Sequence, residues 1–227
     1  MLGIIGAMES EIEALRGQML TPKETAVAGM RFYEGLLFSR PVVLARAGVG
    51  KVHAAMCAQV MIERFHPELI LNIGVAGALV RDLSIGDIVV AQNAVQHDMD
   101  TSPIGDPKGM ISGPDIVYMP CDSRTTADLE RAAGSIGLTV RRAAVATGDQ
   151  FVDKAEKKAE IAREFGAAAC DMEGGAIAQV CLENNVPYAA YRAISDTVNG
   201  NGLEYQVNVT VAAQKSAALL KAYLQNR

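Results

Sequence analysis

Seven short runs rich in Val, Ile and Leu, separated by stretches of helical period, constrain the fold more than any other feature of this chain. Apolar runs without polar alternation belong to strands buried on both faces, and such strands are joined by crossover helices. The runs are Leu2 to Ile5, Val42 to Ala45, Leu69 to Ile73, Asp87 to Ala91, Arg142 to Ala146, Ala168 to Met172 and Tyr188 to Ile194. Helical periodicity covers Glu9 to Met19, Lys51 to Phe65, Ser123 to Ile136, Lys154 to Phe165, Gly174 to Asn184 and Val207 to Gln225. The alternation predicts an α/β protein. With 227 residues, half of them apolar, and no composition shift, residues 1–227 read as one domain.

Charge narrows the partners. A net charge of −5 leaves no basic footprint for nucleic acid or an anionic membrane. Cys57, Cys121, Cys170 and Cys181 lack Cys-x-x-Cys spacing, and three histidines offer little for a metal site, so the cysteines read as buried, reduced thiols. Neither a signal-peptide pattern nor an apolar run of membrane-spanning length is present, which makes the cytoplasm the expected compartment. The longest aperiodic stretch is residues 97–115, rich in Asp, Pro and Gly, which we read as a loop near a site or a subunit contact.

Glycine-rich turns follow several of the strands: "GIIGAMESEI" (3–12), "AGVGK" (47–51), "NIGVAGAL" (72–79) and "TGDQF" (147–151). Ligands in open α/β sheets collect beyond the carboxyl ends of strands, where small residues admit close approach, so these turns are candidates to share one cleft. The first turn is not a simple phosphate cradle, because Glu9, Glu11 and Glu13 would repel an anion there. In "CDMEGGAIAQV" (170–180), Glu173 precedes a Gly-Gly-Ala helix entry; it either accepts hydrogen bonds from a ribose diol or sits on the dipole of its own helix. In "YRAISDTVNGNG" (191–202), Arg192, Ser195 and Asp196 end a strand, and Asp196 is either a proton donor in a cleft or the cap of the next turn.

Taken together, "IIGAMESE", "AGVGK", "NIGVAGAL", "TGDQF", "DMEGGA" and "RAISD", in this order and spacing, resemble the bacterial 5′-methylthioadenosine/S-adenosylhomocysteine nucleosidases of the nucleoside phosphorylase superfamily. The resemblance runs through nearly the whole chain and implies a three-layer α/β/α fold around a mixed, partly barrel-like sheet. It implies N-glycosidic hydrolysis, with Glu11 activating water and Asp196 acting as general acid at purine N7. Glu173 matches the ribose-binding carboxylate, Met172 the residue against the sugar and Phe151 the purine-stacking aromatic. The Val152 backbone matches the reader of adenine's Watson–Crick side, and Met8, Val49, Val75, Ser195 and Tyr205 complete the sugar, base and 5′-alkylthio surroundings. The family needs no metal or organic cofactor, takes a small-molecule nucleoside, and forms homodimers in which the 97–115 loop caps the partner's 5′ pocket.

Three rivals share this fold: a nucleoside phosphorylase, a futalosine-type hydrolase and a non-catalytic nucleoside binder. Phosphorolysis needs cationic side chains at the anion, and the matching places hold Asn72 and Val75, although Arg46 precedes "AGVGK". Ser10 and Glu13 have capping-box spacing, which assigns Glu9 and Glu13 to capping or solvent. The chain departs from the family pattern at Val75, where relatives carry serine, and at Ile104 and Asp106, where they carry aromatics. The helix from Lys51, with Val52, Ala55, Met56, Val60 and Phe65, is apolar on more than one face; a second helix or a second subunit must cover it.

Overall fold

A computed structural model describes residues 1–226. Its strands are β1 (Leu2–Gly6), β2 (Leu20–Val27), β3 (Met30–Leu37), β4 (Arg40–Arg46), β5 (Leu69–Asn72), β6 (Val75–Ala78), β7 (Ile88–Gln96), β8 (Met119–Pro120), β9 (Val140–Thr147), β10 (Ala167–Asp171) and β11 (Tyr188–Asp196). Its α-helices are α1 (Glu9–Arg16), α2 (Lys51–Phe65), α3 (Ser123–Ser135), α4 (Ala155–Phe165), α5 (Gly174–Glu183) and α6 (Gly202–Gln225).

The strands form one mixed sheet in the order β2-β3-β4-β1-β5-β11-β6-β10-β9-β7-β8. A second pairing of β11, antiparallel to β7, closes β11, β6, β10, β9 and β7 into a barrel. Neighbouring side chains on a strand point to opposite faces. Ile4 accordingly packs with Ile12, Leu15, Leu129 and Leu220 from α1, α3 and α6, whereas Ile5 packs with Met61, Phe65 and Ile177 from α2 and α5. These two apolar layers give the expected α/β/α arrangement, and Ile161 and Phe165 of α4 cover a third cluster beside β9 and β10.

Every run read as a strand is one, but β2, β3, β6 and β8 add to them. The β2–β3 hairpin at the sheet edge carries Lys23, Glu24, Arg31 and Glu34, and β2 is mostly exposed, so it lacks the apolar signature of a central strand. Helix ends shift as well. The first helix stops at Arg16 before Gly17, and α6 begins earlier than Val207 because the Asn201 side chain accepts the N–H groups of Leu203 and Glu204.

The expected capping pair of Ser10 and Glu13 is corrected by the structure. Met8 is the N-cap, Ser10 lies inside α1, and Glu11 reaches back to the Met8 N–H at 2.9 Å. Glu9 is not left to solvent alone, since it pairs with Arg16 at 2.8 Å and with Arg46 at 3.6 Å. Among the described residues, no helix is long and apolar enough to cross a membrane. All four cysteines are free and buried, and burial pushes each thiol up to about 12.

Candidate active site

Parallel strands end together, and the carboxyl ends of β1, β4, β9, β10 and β11 meet at one cleft. Strand ends, the turns after them and the first turns of α1 and α6 bring Met8, Glu11, Val49, Val75, Phe151, Val152, Met172, Glu173, Ser195, Asp196 and Tyr205 to its walls, together with Asp171 and Cys170. Each residue expected at a site from the sequence therefore lines this one cavity. No Lys, Arg or His is among the lining residues.

Glu11 projects from the first turn of α1 and is almost fully enclosed. Its Oε2 accepts the N–H groups of Ala7 at 2.7 Å and Met8 at 2.9 Å, and its Oε1 accepts that of Val75 at 3.0 Å. Burial raises the carboxyl above its ordinary value, while the N–H groups of Met8, Val75 and Ala7 and the charge of Arg192 pull the other way. A carboxylate accommodates about four acceptor sites, so three backbone donors fix Glu11 and leave it capacity toward the cavity. Gly74 makes this possible: a Cβ there would lie 2.6 Å from Oε1.

Glu173 is the N-cap residue of α5, but its side chain makes no bond to its own helix. Oε1 instead accepts the N–H of Gly50, at the start of α2, at 2.9 Å. The capping is done by Asp171, whose Oδ2 accepts the Gly174 N–H at 3.0 Å. This division frees Glu173 for the cavity, and burial, reinforced by the nearby charge of Asp171, pushes its carboxyl up to about 7.

Asp171 is spoken for on every side. It also takes the Arg192 Nε at 2.9 Å and the Thr147 hydroxyl, and Arg192 extends to the Asn72 carbonyl at 3.1 Å and to the Asn72 side chain. Arg192 is thus a buried structural cation that ties β11 to β10 and β5, and Asn72 is its partner. The same network leaves Arg192 outside the cavity wall, and Arg46, paired with Glu9, lines a different cleft beside Arg16 and Tyr33.

Asp196 closes β11. It does not cap the following turn, because the Thr197 N–H goes to Glu204 at 2.6 Å. Its Oδ1 accepts from the Ser195 hydroxyl at 3.0 Å, and its Oδ2 from Lys158 Nζ at 2.6 Å. Lys158 was not foreseen from the sequence, although the signal exists: it shares the inward face of α4 with Ile161 and Phe165, at spacings of three and seven. At the mouth, Phe151 and Tyr205 meet edge to face with ring centres 5.2 Å apart, and the Tyr205 hydroxyl lies 3.2 Å from the Met8 sulfur.

Acidic groups stand around an apolar-walled slot with an aromatic at its mouth. The phosphorylase superfamily model matches residues 1–225. The 5′-methylthioadenosine/S-adenosylhomocysteine nucleosidase of Staphylococcus haemolyticus is 34% identical over 231 residues, covering 99% of each chain. The chain belongs to this nucleosidase family. The solved nucleosidase from Neisseria meningitidis, in complex with methylthio-immucillin-A, superposes with a TM-score of 0.95 at 32% identity, covering 100% of this chain and 99% of that one. The futalosine hydrolase of Helicobacter pylori gives a TM-score of 0.94 at 32% identity, covering 100% of this chain and 97% of that one. The family is one of N-glycosidic hydrolases within the phosphorylase superfamily, and the barrel and flanking helices described above are its fold.

Proposed function

We propose that the protein hydrolyses the N-glycosidic bond of 5′-methylthioadenosine and S-adenosylhomocysteine, releasing adenine and the 5′-thioribose sugar. The observation that carries this reading is the cleft itself: Glu11 and Asp196 both line it, and no cation does. A phosphorylase must hold a phosphate dianion beside C1′, and an uncompensated carboxylate at that place opposes it.

In the reaction, water held by Glu11 adds to C1′ and gives its proton to the carboxylate. The electron pair of the C1′–N9 bond passes into adenine, and Asp196 delivers a proton to N7. The ribosyl ring becomes oxocarbenium-like on the way, and the surrounding carboxylates stabilise its positive charge. Glu173 accepts hydrogen bonds from the ribose hydroxyls, and Met172 packs against the sugar. Phe151 stacks on the purine while the Val152 backbone reads its outer edge. Met8, Val49, Val75 and Tyr205 enclose the sugar and the 5′-alkylthio group, and Ser195 holds Asp196 through the 3.0 Å bond.

One face of α2 packs on the sheet and another on α5, so a helix of the same chain supplies part of the cover, yet Val52 and Met56 remain exposed. That residual stripe supports a homodimer with the 97–115 loop at its edge, where Ile104 projects into solvent. The cytoplasm fits an enzyme acting on intracellular nucleosides with four free thiols.

Chromatographic detection of free adenine from metal-free protein, with and without phosphate, tests the activity. Equal rates in both buffers and a free sugar product are expected. Ribose 1-phosphate as the product would replace hydrolysis by phosphorolysis, and futalosine as a much better substrate would move the chain to the neighbouring specificity.

A further inference from the structure

Lys158 is a fully buried cation on a helix face that otherwise presents Ile161 and Phe165. An ammonium taken out of water costs several kcal/mol unless it is paired and its hydrogen bonds are met. Its three donors find Asp196 Oδ2 at 2.6 Å, the Thr197 carbonyl at 2.6 Å and the Gly200 carbonyl at 3.5 Å. All three acceptors belong to the end of β11 and the turn that leaves it. An apolar side chain would fill this helix position without any of that cost, so the cation is explained by what it does to residues 196–200.

The effect on Asp196 is geometric first. Oδ2 is committed to Lys158 and Oδ1 accepts from Ser195, which fixes the rotation of the carboxyl plane. Gly77 leaves the room for it, since a Cβ there would lie 2.8 Å from Oδ2. Lys158 does not line the cavity, so it stands behind the carboxyl and does not compete with it for the base.

We propose that Lys158 is a positioning residue for the general acid: it aims Asp196 at purine N7 and stabilises the carboxylate left when the proton has moved. This rests on the nucleosidase reading of Asp196 given above. In the step, the O–H bond of Asp196 breaks, the N7–H bond forms, and the C1′–N9 electron pair enters the ring; Lys158 keeps all three of its protons. Its attraction for Asp196 is therefore greatest once the proton has left, and interactions that grow toward the transition state raise turnover rather than binding.

The test compares two leaving groups. Adenine needs protonation, whereas the p-nitrophenolate of a p-nitrophenyl 5-methylthioriboside departs without it. Lys158→Met is expected to lower kcat on methylthioadenosine by ~10²-fold, with KM and the kcat on the nitrophenyl substrate each changed by less than about threefold. Lys158→Arg should recover part of the loss, and in an Asp196→Asn background Lys158→Met should cost nothing further. Equal losses on both substrates, or full activity of Lys158→Met on methylthioadenosine, would overturn the proposal. Should Lys158→Met not fold, the ratio of the two substrates in Lys158→Arg decides in the same way. Failure of the underlying reading looks different: the parent would release no adenine, or Asp196→Asn alone would keep full turnover.

Discussion

The backbone N–H of Val75 donates to Glu11 Oε1 at 3.0 Å, joining the start of β6 to the first turn of α1. Two more N–H groups, from Ala7 and Met8, hold the other oxygen, so a carboxylate that looks in the sequence like one of three at a helix mouth is pinned from two separate strand ends. That fixation suits the general-base role proposed for Glu11, because a base must hold its reach to the proton it abstracts.

Gly74→Ala tests the fixation. The new methyl would stand 2.6 Å from Oε1, so Glu11 must turn away or the Gly74 turn must shift. We expect kcat on methylthioadenosine to fall by ~10²-fold with the circular dichroism of the parent retained, and Glu11→Gln to fall by ~10²–10⁴-fold. Steady-state kinetics on purified variants checks both, and near-parental turnover of Glu11→Gln would remove the base from this site.

Glu173 carries a pH signature. Its carboxyl is pushed from 4.5 up to about 7, first by burial and then by Asp171, so the folded state binds this proton more tightly than the unfolded chain does. Its contribution to stability is then complete below about pH 4.5 and is lost as pH rises through about 7. Glu173→Gln does not titrate, so its melting temperature relative to the parent should rise between pH 5 and pH 8.5. Substrate binding runs the opposite way, because a ribose diol donates to the carboxylate form. The parent's KM should fall as pH approaches about 7 and flatten above it, whereas that of Glu173→Gln stays flat. Parallel KM profiles for the two proteins would separate Glu173 from the diol.

The buried pair of Asp171 and Arg192 predicts a stability effect independent of substrate. Asp171→Asn leaves a guanidinium inside the protein without its counter-charge, a change that costs about 3–5 kcal/mol. At roughly 2–4 °C per kcal/mol for a chain of this size, the melting temperature should drop by about 10 °C. The exposed pair of Arg142 and Glu130 is the control, since Glu130→Gln there should cost no more than about 1 kcal/mol. Thermal unfolding of the two variants side by side measures the difference.

Much of this was legible because the central strands are buried on both faces and the site residues follow them directly. β1, β4, β5, β10 and β11 are nearly uninterrupted apolar runs, and a polar residue (Arg46, Asn72, Asp171 or Asp196) ends all but β1, marking the carboxyl ends where the cleft lies. Sequence pattern fails where that logic does. β6 is the Val-Ala-Gly-Ala tract that reads as a turn, β2 is an exposed edge strand, and the second half of β7 contains Gln92 and Asn93, which read as loop. Lys158 and the link from Asp171 to Arg192 were obscured for another reason. Lys158 stands among Glu156, Lys157, Glu160 and Arg163, charges that read as solvent-facing and mask its place on the Ile161 and Phe165 face, and β10 and β11 are separated by β6 in the sheet, so pairing between their side chains is a property of the tertiary fold.

The exposed stripe of α2 bears on assembly. Val52 is 70% and Met56 42% exposed although α2 is already covered by the sheet and by α5, and Val49, which lines the cleft, is 50% exposed at the same end of the helix. The apolar stripe therefore runs into the rim of the cleft, and a second copy seated on it would shelter both. A stable pair of this kind buries ~2,000 Å² or more in total. Light scattering of the active enzyme should give about twice 24.0 kDa. Val52→Glu combined with Met56→Glu should place two unpaired charges in that interface, split the dimer and lower turnover on 5′-thio substrates, while leaving the melting of the monomer's own core little changed. A mass of 24.0 kDa for the fully active parent would show that the stripe is simply solvated and that the cleft needs no second subunit.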